Sequence, residues 1–145
     1  MKVHPDNVLH GFLWVLMGGL WIQGIGSLAF RLVPALPANS PLLVRGTFGI
    51  DFWHALIHIA WGVAGLIIAG SSKSDRTWID FAVIFGVFYT GLAVWGIVVH
   101  HPLGLELDLP ENVFYWVAGP ASLLMGLWNL RRFKVDRMSL KSEST

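Results

Sequence analysis

"DFWHALIHIAWGVAGLIIAGSS", residues 51–72, follows Asp51 with 21 residues that carry no formal charge. At 1.5 Å of rise per residue, an α-helix of that length covers about 30 Å, the thickness of a bilayer's hydrocarbon core. Three further runs lack Asp, Glu, Lys and Arg: residues 7–30, 81–105 and 112–130. The chain is 54% hydrophobic and 13% charged, whereas soluble domains carry about a quarter charged residues. The solvent these residues suit is lipid. The expected fold is all-α, an integral membrane four-helix antiparallel bundle with spans at about 8–30, 51–71, 78–100 and 111–131. Residues 1–135 form one transmembrane domain and 136–145 a polar cytoplasmic tail, expected to fray. Over 145 residues this leaves no length for a separate soluble domain.

Ser27-Leu28-Ala29 has the look of a signal-peptidase site. The uncharged run before it exceeds the usual 7–15 residues of a secretory h-region, and its basic flank is Lys2 alone, so span one is expected to be retained.

An even number of spans puts both termini on one side, with the loop "GSSKSDRTWID" (70–80). That side holds Lys2, Lys73, Arg76, Arg131, Arg132, Lys134, Arg137 and Lys141, and the other side only Arg31 and Arg45. Basic residues concentrate on the cytoplasmic side of membrane proteins, so both ends are expected in the cytoplasm of a bacterial inner (cytoplasmic) membrane protein. The exoplasmic loop 31–49 contains Pro34, Pro37 and Pro41 and is not expected to form a regular helix. Its apolar residues are expected to lie in the interface or cap the bundle. Trp14, Trp53, Trp78, Trp116 and Trp128 fall near span ends and read as interfacial belt residues; Trp21, Trp61 and Trp95 lie deeper.

At 100° per residue Asp51, His54, His58, Gly62, Gly65 and Ala69 share one stripe of span two. Small residues mark where membrane helices approach closely, so this polar and small face is expected to look inward. Similar stripes run through Gly86, Tyr89, Thr90, Ala93, Gly96 and His100 in span three, and Asn112, Tyr115, Gly119, Ser122 and Gly126 in span four. In span one, Asp6, His10, Met17, Trp21 and Gly24 share a side.

Three segments resemble a known family. "FGIDFWHALIHIAWGVAGL" (48–66), "FGVFYTGLAVWGIV" (85–98) and "PENVFYWVAGPASLLMGL" (110–127) are similar to the His-containing, Gly-x-x-Tyr and final spans of the bacterial four-span family of domain of unknown function DUF4383. The likeness covers residues 8–130 and implies the four-span fold. Glu111 stands for the family's Asp and Tyr115 for its usual His, so a role that needs a His pair between spans two and four does not carry over.

Three readings of the polar residues remain open. Asp51, His54, His58, His100 and His101 offer the imidazole and carboxylate donors of a divalent metal site. His58, supported by His54 and His100, could ligate a haem or a chlorophyll-type pigment, with Gly62 and Gly65 letting a flat macrocycle approach. In the third reading no cofactor is bound: His58 bonds Tyr115, Asn112 or a backbone carbonyl across the bundle, and Asp51 fixes the tautomer of His54. Gly-x-Ser-x-Gly, P-loop and HExxH patterns are absent, so no catalysis is expected. With a net charge of +1 there is no case for nucleic acid, and with no cysteine none for thiolate chemistry. The expected role is an accessory or scaffold subunit of a larger membrane complex, with the lipid bilayer and other membrane subunits as partners. The alternative is a haem-, pigment- or metal-binding membrane protein.

Overall fold

The computed structural model describes residues 5–72, 74–99 and 109–143, with side chains described for 8–72, 74–99, 113–135, 138 and 139. Its elements are α1 (Pro5–Leu32), α2 (Ala35–Asn39), α3 (Leu42–Phe48), α4 (Phe52–Ser71), α5 (Asp75–Val98) and α6 (Leu109–Glu143), with no strand among the described residues. Four of these contain segments long and apolar enough to cross a membrane: Val8–Leu32, Phe52–Ser71, Asp75–Val98 and Val113–Val135. Each lies within a few residues of the span expected from charge alone. Their outer faces remain open: Val15, Ile67, Ile84, Val98 and Leu124 are between 59% and 79% exposed. Apolar surface on that scale belongs against acyl chains or neighbouring protein.

Glycine decides which helices lie closest. A Cβ on Gly24 would stand 2.7 Å from the carbonyl oxygen of Ala55, and one on Gly62 would stand 2.7 Å from the backbone nitrogen of Trp21, so α1 and α4 meet backbone to backbone. A Cβ on Gly86 would lie 2.7 Å from the Cα of Leu123, and one on Gly119 2.6 Å from the nitrogen of Thr90, which brings α5 and α6 equally close. Both pairs are antiparallel, since rising numbers on one helix meet falling numbers on the other. At the opposite end of the first pair, His10 Nε2 donates to the carbonyl of Ala69 at 2.8 Å and its ring stacks on Trp78 with centroids 3.9 Å apart. The bundle is therefore two glycine-seamed pairs, α1 with α4 and α5 with α6. The pairs touch each other more sparingly than their members do. A shared core of Leu9, Leu13, Met17, Leu20, Phe85, Leu92 and Tyr115 joins them.

Three sequence expectations need correction. The loop 31–49 does form helix, in two short pieces: Pro34 and Pro41 stand just before α2 and α3, and Pro37 falls in the first turn of α2. A missing N–H costs nothing at those positions. The polar tail is helical rather than irregular, with α6 continuing to Glu143; residues 131–143 hold no Gly or Pro and are rich in good helix formers. The inner face of α1 is also rotated from the expected stripe. Met17 and Gly24 are inside, but their company is Leu9, Leu13, Leu20 and Ser27, and Trp21 is 40% exposed. The backbone of Trp21 lies against Gly62 and Met17 lies against Gly65, while the indole itself stays largely outside.

Candidate functional site: a His–Tyr–His cluster between the helix pairs

The α4 stripe turns inward as its spacing requires: His54, Ala55, His58, Gly62, Gly65 and Ala69 are all buried. Asp51 caps this helix, its Oδ1 accepting from the backbone N–H of His54 at 2.9 Å. Capping satisfies one of the free donors of the first turn and places the carboxylate over the helix N-terminus, where the dipole favours a negative charge. The second carboxylate oxygen, Oδ2, lies 3.7 Å from His54 Nδ1, which favours the proton on that nitrogen.

One turn apart on the same face, the two imidazoles meet edge to face with centroids 4.7 Å apart. Tyr115, brought in by α6, completes the cluster. Its hydroxyl bonds His54 Nε2 and lies 3.3 Å from His58 Nε2. His54 is 0% exposed, and His58 and Tyr115 are 1% exposed each, so these polar groups must satisfy one another. Tyr115 rests on Tyr89 of α5, with centroids 4.9 Å apart and planes at 60°, and Tyr89 stacks on Phe85. Trp61 packs against Phe81, Phe85 and Phe88. Three helices thus hold the cluster.

A phenol has one proton to give and can accept others, so Tyr115 donates to one imidazole and accepts from the other. The Asp51 carboxylate, 3.7 Å away, favours the Nδ1–H tautomer of His54 by its charge; in that tautomer His54 Nε2 is the acceptor and takes the tyrosine proton. His58 Nε2–H then donates to Tyr115. In this tautomer the hydrogen bonds run from His58 to Tyr115 to His54, and His58 Nδ1 is a lone-pair acceptor with no hydrogen-bond partner among the described residues.

The cofactor-free reading named Tyr115 as a partner for His58, and the structure places it there; the bond between the same hydroxyl and His54 lay outside that reading. Gly62 faces the backbone of Trp21 and Gly65 faces Met17. The place expected for a macrocycle is filled by α1, so these two glycines serve helix packing. A haem or pigment ligated through Nε2 of either histidine would have to displace Tyr115. Among the described residues no three His, Asp or Glu side chains gather to hold a metal. His100 and His101 lie outside the described residues, as do the side chains of Glu111 and Asn112.

What the sequence reading missed is α3. Beside the His58–Tyr115 wall is a cavity of about 880 Å³ between α1, α3 and α6, lined on the α3 side by Leu42, Leu43, Gly46, Thr47 and Phe48. Phe48 is anchored by Phe30, with centroids 5.5 Å apart, and Gln23 Nε2 donates to the carbonyl of Thr47 at 3.0 Å. The apolar residues that follow Pro41 in the loop 31–49 were the available signal for a cap over the bundle.

Four antiparallel apolar helices around a buried polar cluster define a multi-pass membrane protein. Residues 34–128, well over half the chain, match the family described as Domain of unknown function (DUF4383), and the chain belongs to that family. No curated protein and no solved structure matches it.

Proposed function

We propose that this chain is a non-catalytic protein of the bacterial cytoplasmic membrane, with both termini in the cytoplasm, acting as an accessory or scaffold subunit of a larger membrane complex. The observation that carries this reading is the division of the bundle into two tightly seamed pairs with broad apolar outer faces. Each pair has its own glycine contact, and Trp53, Trp95 and Trp128 are 66%, 45% and 59% exposed on the outside. Large rigid aromatics on an apolar surface suit protein neighbours as well as lipid. The polar cluster supports a structural role too, because its members are hydrogen-bonded to one another across the pairs. The eight-to-two bias of basic residues supports the orientation.

The test is extraction from native membranes in a mild detergent at native expression, followed by native-gel separation and mass spectrometry. A stoichiometric membrane-protein partner is expected in a band larger than the chain's own micelle. A chain that migrates alone refutes the subunit reading.

A further inference from the structure

The cavity between α1, α3 and α6 has a composition that selects its occupant. Its rim is apolar and outward: Val15, Ile22, Leu42 and Leu43 line it and are 79%, 59%, 81% and 82% exposed. In a bilayer that rim stands against acyl chains, so whatever enters comes from the lipid phase. None of the lining residues is Asp, Glu, Lys or Arg. A zwitterionic or anionic phospholipid head would lose its hydration there and gain no charged partner, which disfavours it. Four rings border the space: Phe48, Phe114, His58 and Tyr115. They offer faces and edges for a flat aromatic head. At about 880 Å³ the cavity falls within the roughly 300–1,000 Å³ of small-molecule sites.

The polar wall adds a direction. His58 is 1% exposed and borders the cavity, and its Nδ1 has no hydrogen-bond partner among the described residues. In the tautomer that the Asp51 charge favours, that nitrogen is an acceptor. An occupant that completes it must bring a donor.

We propose that this cavity binds the head of an uncharged bilayer lipid bearing a phenolic hydroxyl, the prenyl-quinol class, with His58 as the acceptor and Phe48 and Phe114 flanking the ring. The proposal concerns binding, and it stands independently of the subunit role.

Calorimetric titration of the purified full chain in detergent, under anaerobic conditions, tests it with four probes. These are a decyl-substituted benzoquinol, the matching benzoquinone, the quinol dimethyl ether and dioleoylglycerol. The quinol is expected to bind one per chain, about tenfold or more tighter than the other three, the difference one sheltered hydrogen bond makes. His58→Leu should weaken quinol binding about tenfold. Because His58→Leu also disturbs the cluster, Gly19→Leu is the second variant. Gly19 lines the cavity, and a Cβ there meets nothing within 4 Å. The substitution fills the space from a helix that gains propensity, so binding should fall at least tenfold while the melting temperature holds or rises. Equal affinity for quinol and dimethyl ether would show that the head is not recognised. Preference for the quinone would reverse the assigned direction of donation, and preference for dioleoylglycerol would replace the phenol with an aliphatic hydroxyl. Undiminished binding by Gly19→Leu would place the ligand elsewhere; each of these four outcomes overturns the proposal.

Discussion

Gly86→Ala is the sharpest probe of the architecture, because the same substitution one turn and a residue later should do the opposite. At Gly86 an added Cβ lies 2.7 Å from the Cα of Leu123, and backbone cannot rotate away as a side-chain tip can. The α5 and α6 axes must separate by several tenths of an ångström, which loosens the packing around Tyr89 and Tyr115. Overpacking of this kind costs about 1–3 kcal/mol. At Gly91, on the same helix, a Cβ meets nothing within 4 Å. There the change should stabilise by up to about 1 kcal/mol through helix propensity alone. The two variants should therefore differ by about 1–4 kcal/mol, read from unfolding of the purified protein by sodium dodecyl sulfate in mixed micelles. Equal stability of the two would refute the seam, and with it the division into pairs.

Other expectations follow from single contacts. Asp51→Ala removes the cap of α4 and should cost about 0.5–2 kcal/mol in the same assay; Asp51→Asn, which keeps a capping oxygen, should recover most of it. His10→Leu removes the donor to the Ala69 carbonyl and the stack on Trp78. It should destabilise by about 1–3 kcal/mol, and wild-type stability in that variant would mean the contact carries nothing. The chain has no native cysteine, so topology is readable by labelling with a membrane-impermeant maleimide. In intact spheroplasts Ser40→Cys should react and Ser139→Cys should react only after lysis; the reverse pattern would invert the proposed orientation.

The spans and the inward stripe were legible in the sequence because they rest on strong, local quantities. A charged side chain at the centre of a bilayer costs several kcal/mol, so charge-free runs locate the helices within a few residues. Gly62, Gly65, Gly119 and Gly126 stand at fixed helical spacings beside polar residues, which settles which faces turn in. Pairing was not legible. Glycine stripes on four helices say that close contacts exist, and only the fold shows that α1 chose α4 while α5 chose α6. The rotation of α1 escaped for a related reason: Trp21 and Leu20 are neighbours in sequence, and the fit of Leu20 into the bundle moves the indole outward. The cavity depends on α3 folding back after Pro41, a tertiary event that loop composition suggests but cannot position. The link from His54 to Tyr115 joins residues 61 positions apart, beyond the reach of any spacing argument.

The central claim is that His54 and Tyr115 are bonded across the interior, tying one helix pair to the other. A double-mutant cycle of His54→Leu, Tyr115→Phe and the double variant measures that bond, since Tyr115→Phe keeps the ring on Tyr89 and deletes only the hydroxyl. A coupling energy of about 0.6–2 kcal/mol is expected. Single-variant losses that add to within about 0.3 kcal/mol would contradict it.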